Sequence, residues 1–136
     1  MIAIDTNVLV RLLVWDDPEQ AAQAKALIGG QDVFVSKTVL LETEWVLRSL
    51  YGLKASQIIA ALRGVVGLPR MRCEDPDAVV MALGCFEQGL DFADALHLSS
   101  SRAKGRFATF DQRFRKRGQG ICPVEIVAVA ELLSGE

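Results

Sequence analysis

Cysteine and histidine are scarce in this chain, and neither occurs in a pattern that holds a metal ion. The three cysteines, Cys73, Cys85 and Cys122, form no CxxC pair and no even framework. We therefore expect reduced thiols without a catalytic or metal-binding role, as in a cytosolic protein. His97 is the only histidine, and a lone histidine on a half-apolar helix is more often a packing residue than a base.

Long hydrophobic runs are missing as well, although 51% of the residues are hydrophobic. Arg11, Glu42, Glu44 and Arg48 interrupt the richest regions, so no run approaches the roughly 18 residues of a membrane helix. The N-terminal MIAIDTNVLVRLLV does not show the basic, apolar and small-residue succession of a secretory signal. We therefore expect a cytoplasmic protein without a membrane partner.

The chain has no large charge excess, and its net charge of −2 neither indicates nor excludes a polyanionic partner. The distribution of charge is uneven, however. Seven basic residues crowd one segment, called here the basic stretch: Arg102, Lys104, Arg106, Arg113, Arg115, Lys116 and Arg117. The only acid inside it is Asp111, which is an unusual place for a surface carboxylate.

Strand-like and helix-like segments alternate along the 136 residues, a length that fits a single domain, 1–136. We predict strands at 2–4, 33–35, 70–73, 107–110 and 124–127. We predict helices at 6–14, 18–30, 37–50, 55–66, 76–89 and 91–104, and a last helix after 127. This alternation predicts an α/β domain whose mostly parallel sheet is covered on both faces.

Three acids lie where hydrophobic segments end. Asp5 and Asp111 each follow a predicted strand, and Asp94 lies in the first turn of a predicted helix. Because ligands bind beyond the carboxyl ends of parallel strands, these carboxylates could converge at one edge of the sheet. A local interpretation also exists, since Asp5, Asp91 and Asp111 are all suited to cap a helix and the helix dipole favours Asp94.

Glu42 lies within a helix that is apolar nearly all round. Val46 and Leu50 share its helical face, and an ionised carboxylate in such a setting needs a metal, a basic side chain or a cleft. Glu44 has a simpler explanation, because Arg48 follows four residues later and can form an ordinary surface pair with it.

The aromatic residues are predicted to be mostly core, including Trp15 and Trp45. Phe110 and Phe114 lie beside the basic stretch. They could stack on a nucleic-acid base, although hydrophobic packing is the default interpretation.

Four segments taken together, IDTNVLV, LLETEWVL, DFADALHL and ATFDQRF, resemble the PIN-domain ribonucleases, and most closely the VapC-type toxins of toxin-antitoxin pairs. The resemblance extends over essentially the whole chain. It implies a PIN-like three-layer α/β/α fold with a central, mostly parallel sheet. It also implies that Asp5, Glu42, Asp94 and Asp111 form an acidic quartet.

The same resemblance implies further site residues and partners. Asn7 and Thr109 become neighbouring polar residues of the site, and Asp91 an occasional extra acid. An RNA substrate, a homodimer and a cognate antitoxin that plugs the cleft are also implied.

The chemistry of the quartet supports a metal ion on separate grounds. Two like charges about 4 Å apart repel by about 4 kcal/mol at an effective dielectric near 20, so gathered carboxylates need compensation. Oxygen ligands without histidine or thiolate select Mg²⁺, with Mn²⁺ as a plausible substitute, over zinc. We therefore predict metal-assisted phosphodiester hydrolysis with one or two ions.

Each acid has a predicted role in that reaction. Asp5 and Asp94 would be the main metal ligands, Glu42 a ligand or water-orienting base, and Asp111 an outer ligand acting partly through water. The basic stretch, including Arg113, would contact phosphates without reading sequence. Single-stranded or looped RNA fits best, because unpaired segments can bend into a narrow acidic cleft.

Two other functions remain open. The chain could be a non-catalytic PIN-like module that binds RNA or a partner through the basic stretch. It could instead be an aspartate-based phosphatase or phosphoacceptor domain, but Asn7 occupies the position where such phosphatases have a second acid.

Overall fold

Residues 1–134 are described by a computed structural model, in which the chain forms two units, Met1–Pro76 and Asp77–Glu136. The first unit contains a sheet of three parallel strands in the order β1-β2-β3. Its elements are β1 (Ile2–Ala3), α1 (Thr6–Leu13), α2 (Pro18–Gly30), β2 (Val33–Val35), α3 (Lys37–Ser49), α4 (Ala55–Val66) and β3 (Met71–Cys73).

The second unit contains a pair of parallel strands, β4 and β5. Its elements are α5 (Pro76–Glu87), which begins at the boundary, α6 (Phe92–Ser100), a 3-10 turn (Arg102–Lys104), β4 (Arg106–Thr109), α7 (Gln112–Gly118), β5 (Glu125–Ala128) and α8 (Val129–Leu133). The predicted α/β class with parallel strands is confirmed.

Each unit has its own core of buried apolar side chains. In the first unit the fully buried side chains include Leu9, Val33, Val35, Leu40, Leu47, Ile58 and Leu62. In the second they include Val79, Leu83, Leu90, Phe92 and Leu98. Burying side chains of this size stabilises a fold by about 1.5–3 kcal/mol each.

Several helices begin at a residue whose side chain accepts a hydrogen bond from a backbone N–H three residues later, a cap worth about 1 kcal/mol. These caps are Asp5, Asp17, Ser36, Asp91 and Asp111. The capping interpretation of Asp5, Asp91 and Asp111 is therefore correct as a structural fact. It does not compete with a functional role, because a carboxylate has a second oxygen.

Helix boundaries around the basic stretch differ from the prediction. The helix predicted to run through Lys104 ends at Ser100, and the chain turns at Gly105, whose φ is +77°. Helix α7 was not among the predicted helices, although Asp111 was recognised as suited to cap one, because its run of basic residues obscures the short apolar face. It forms because Asp111 caps it and the buried Phe114 packs edge-on against Phe107, with ring centroids 5.7 Å apart.

The prediction of reduced thiols is wrong for two of the three cysteines. Cys85 on α5 and Cys122, just before β5, form a disulfide although 37 positions separate them in the sequence. Folding of the second unit brings them together, which spacing alone cannot indicate. Cys73 is free and half-buried, and burial raises the pKa of its thiol.

The helices within residues 1–134 are too short or too polar to cross a membrane.

Candidate functional site

Asp5 lies two residues beyond the end of β1 and caps α1, as the strand-to-helix pattern predicts. Its Oδ1 accepts a hydrogen bond from the backbone N–H of Val8 at 3.2 Å. The side chains of Asp5 and Asn7 are exposed and line a cleft of about 360 Å³ between α1 and α2. The rest of the cleft wall comes from Val8, Arg11, Gln20, Gln23, Ala24 and Leu27.

Arg11 is a residue of this cleft that the sequence analysis missed. Its Nε donates to Gln20 Oε1 at 2.8 Å and its terminal nitrogen to Asp16 Oδ1 at 3.0 Å. The Tyr51 hydroxyl also donates to Asp16, at 2.8 Å, and this bond, together with Arg11, lowers the pKa of the Asp16 carboxyl. The network holds the guanidinium in place in the cleft that Asp5 also lines. The sequence offers only the nine-residue spacing between Arg11 and Gln20 as a signal, and that spacing is too weak to identify such a network.

Glu42 is exposed, contrary to the predicted apolar setting, and its partner is a hydroxyl group. Thr6, which is buried at the start of α1, donates from Oγ1 to Glu42 Oε1. The contact joins α1 to α3 and holds Glu42 against Thr6, which directly follows Asp5. The first unit therefore brings Asp5 and Glu42 into one neighbourhood.

The buried acid of α3 is Glu44, which was predicted to form a surface pair. Its side chain is only 3% exposed, and Oε2 accepts from Arg48 Nε at 2.8 Å. The pair with Arg48 is confirmed, but the helix is rotated relative to the prediction. Leu40, Thr43, Glu44 and Leu47 form the buried face. An almost uniformly apolar helix gives no clear face from sequence alone.

Asp94 lies in the first turn of α6 and is half-buried. Its backbone N–H donates to Asp91 Oδ2 at 3.3 Å. Burial raises the pKa of the Asp94 carboxyl, the negative charges of Asp91 and Asp111 raise it further, and His97 partly offsets the increase. The second unit therefore brings Asp91, Asp94 and Asp111 within electrostatic reach of one another.

Asp111 lies two residues beyond the end of β4, where the sequence predicted a carboxylate at a strand end. Its Oδ1 accepts from the backbone N–H of Phe114 at 3.0 Å. Its own backbone N–H donates to Thr109 Oγ1 at 2.9 Å. Thr109 thus fixes the backbone that carries Asp111.

The basic stretch divides into residues with internal partners and residues that face solvent. Arg102 donates to Ser99 O at 2.8 Å, and Arg115 pairs with Glu131 at 2.8 Å. Arg106 lies 3.9 Å from Glu125. Four members are exposed and have no acidic partner within residues 1–134: Lys104, Arg113, Lys116 and Arg117.

The predicted metal ligands divide between the units, with Asp5 and Glu42 in the first and Asp94 and Asp111 in the second. In the part of the chain that the structure describes, no group of three or more His, Cys, Asp or Glu residues is arranged to hold a metal ion. The four-carboxylate site stays a prediction. The donor chemistry fits Mg²⁺, because the ligands offered are carboxylate oxygens, and because burial together with the negative charges of Asp91 and Asp111 raises the pKa of Asp94.

A family model described as PIN domain matches residues 2–119. No curated protein matches the chain. Among solved structures, the crystal structure of VapC20 from Mycobacterium tuberculosis, a Sarcin-Ricin loop cleaving toxin, is 24% identical. That match covers 87% of this chain and 95% of VapC20, with a TM-score of 0.43.

Proposed function

Because the chain belongs to the PIN domain family, we propose that it is a magnesium-dependent endoribonuclease that hydrolyses RNA phosphodiester bonds. The observation that carries the proposal is the acidic neighbourhood of Asp94, whose pKa is raised by burial, Asp91 and Asp111. A carboxyl group in such a place ionises at a cost, and a bound cation removes that cost. Perturbed carboxyl groups of this kind are typical of functional sites.

The proposed roles follow the predicted quartet. Asp5 and Asp94 are the main metal ligands, Glu42 is a ligand or orients the attacking water, and Asp111 is an outer ligand. A bound Mg²⁺ or Mn²⁺ supplies charge compensation for the phosphate and lowers the pKa of the attacking water.

The polar neighbours of these acids hold them in position or contact the substrate. Thr6 donates to Glu42, which leaves the second oxygen of that carboxylate available for a ligand or a water. Thr109 accepts from the backbone of Asp111. We assign Asn7, Thr109 and the exposed Arg113 to substrate binding, with Arg113 on a phosphate.

We further propose that the protein is the toxin of a type II toxin-antitoxin pair, acting in the cytoplasm as a homodimer. The four segments that resemble VapC-type toxins support this assignment. Induced expression in a bacterial host should arrest growth, whereas the Asp94→Asn variant at the same level should not. Growth arrest by both proteins would favour the non-catalytic binding module instead.

The direct test is incubation of the purified protein with total cellular RNA, with Mg²⁺ or with a chelator, followed by mapping of new ends. We expect cleavage only with Mg²⁺. Asp94→Asn should lower the cleavage rate at least about 100-fold, which is the smallest loss usually found when an acid-base or charge-stabilising group is removed. Asp77→Asn is the matched control, because Asp77 is exposed in the first turn of α5 in the same unit. RNA that stays intact under both conditions contradicts the proposal.

A further inference from the structure

Phe110 is an aromatic side chain that the fold leaves in solvent. It follows the last residue of β4 and is 87% exposed. Phe114, four residues later, is 5% exposed and packs against Phe107. Of the two phenylalanines that sequence analysis placed beside the basic stretch, only Phe114 contributes to the core. Single exposed apolar side chains are common on protein surfaces, so the role of this ring has to be argued from its neighbours.

The neighbours of Phe110 belong to the candidate active site. Thr109, Phe110, Asp111 and Gln112 line one side of a cleft of about 190 Å³ that Arg115 and the start of α8 complete. Asp111 is anchored there by its bonds to Phe114 and Thr109. The exposed ring therefore borders a carboxylate proposed to act on the phosphodiester.

The charge on α7, the helix that begins two residues after Phe110, suits a polyanion. Arg113, Lys116 and Arg117 on α7 are exposed, and no acid within residues 1–134 pairs with them. Helix α7 begins directly after the Phe110-Asp111 dipeptide. Basic side chains beside an exposed aromatic ring are the combination by which proteins hold single-stranded nucleic acid, with phosphates on the cations and bases on the ring.

We propose that Phe110 is a stacking platform for an unpaired base of the RNA substrate, next to the bond that is cut. The inference rests on the proposed function and adds a specificity for unpaired RNA to it. Bases inside a duplex are already stacked on their neighbours, so the ring needs an unpaired base. Phe110 is a substrate-binding residue, because it contacts a base of the RNA and not the reacting atoms.

Binding tests the proposal without interference from cleavage. In the Asp94→Asn background, the dissociation constant of a labelled single-stranded oligouridylate is measured in low salt. Phe110→Ala should raise it by about 5- to 150-fold, the effect of losing one base-aromatic stack. Phe110→Trp should restore the affinity. The control is Leu133→Ala, since Leu133 is an apolar residue of the same unit that is 80% exposed, and it should leave the affinity unchanged.

An oligomer of the same length that lacks bases separates stacking from phosphate contact. The protein with Phe110 intact and the Phe110→Ala variant should bind it equally, whereas an Arg113→Ala change should weaken its binding. If Phe110→Ala weakens binding of the base-free oligomer as much as binding of the oligouridylate, the stacking proposal is overturned.

Kinetics distinguish failure of this inference from failure of the proposed function. In the active protein, Phe110→Ala should raise KM and leave kcat nearly unchanged, as for a lost binding contact. If the wild type cleaves RNA but Phe110→Ala leaves KM unchanged, the stacking proposal is overturned and the nuclease proposal stands. If the wild type cleaves no RNA but Phe110→Ala still loses oligouridylate affinity, the nuclease proposal fails and stacking stands. If Phe110→Ala changes only the oligomeric state, the ring belongs to a protein interface and the proposal is overturned.

Discussion

At the scale of single residues, Asp94 combines partial burial with two acidic neighbours. Its pKa is raised from the ordinary 3.8, so the folded protein holds this proton to a higher pH than the unfolded chain does. The free energy of unfolding therefore falls as the pH rises from about 3.8 through the pKa of the folded state. Above that pKa the full cost is present, until a cation compensates for it.

Asp94→Asn should therefore be more stable than the wild type at pH 7 in metal-free buffer, because the amide carries no charge to desolvate. The difference in melting temperature between the two proteins should shrink as the pH falls below the ordinary carboxyl range. Thermal unfolding across pH with a chelator present measures both effects. An Asp94→Asn protein that melts lower than the wild type at pH 7 would show that the carboxylate is stabilised by its surroundings.

Thr6 illustrates a second effect at the residue scale, because its hydroxyl holds Glu42 from a buried position. Thr6→Val keeps the shape but removes the donor, and a hydrogen bond to a charged group is worth about 1.5–3 kcal/mol. We expect the cleavage rate to fall about tenfold or more. Thr6→Ser, which keeps the hydroxyl, should restore most of the rate and its pH profile. Equal rates for the Val and Ser variants would mean that Glu42 needs no orientation by Thr6.

At the scale of elements, the second unit depends on the close approach of α7 to β5. A Cβ added at Gly118, the last residue of α7, would lie 2.3 Å from Ile126 Cδ1 on β5. Ile126 is itself buried, so its side chain has little room to move away. Glycine at position 118 allows α7 to pack closely against β5, a strand that follows several residues later in the sequence.

Gly118→Ala should lower the free energy of unfolding by about 1–3 kcal/mol, the usual cost of overpacking. Gly84→Ala is the matched control, because Gly84 lies inside α5 of the same unit with nothing within 4 Å of an added Cβ. It should stabilise the protein by about 0.5–1 kcal/mol through the higher helix propensity of alanine. Denaturant unfolding of both variants gives the comparison, and destabilisation of similar size in both would exclude a specific clash.

At the scale of the whole molecule, a covalent link adds to the non-covalent packing. The Cys85–Cys122 disulfide closes a long loop within the second unit. In the loop-entropy description, a crosslink over 37 positions lowers the entropy of the unfolded chain and so raises the free energy of unfolding by about 4 kcal/mol. Reduction of the disulfide would remove this contribution.

Reduction should therefore lower the melting temperature, and Cys85→Ser combined with Cys122→Ser should reproduce the effect without reductant. Cys73→Ser, which removes the free thiol, should leave the response to reductant intact. Alkylation of the unfolded protein should label one cysteine before reduction and three after it. Three labels before reduction would show that the thiols are not paired.

The sequence by itself determined the features that depend on neighbours along the chain. The α/β class, most helix and strand positions, and the caps at Asp5, Asp91 and Asp111 follow from periodicity and from hydrogen bonds across three residues. The tertiary structure decided which side chains meet across long separations. It turned Glu44 inward and Glu42 toward Thr6, joined Cys85 to Cys122, and left Phe110 in solvent. Burial and pairing depend on which elements pack together, and no local pattern carries that information.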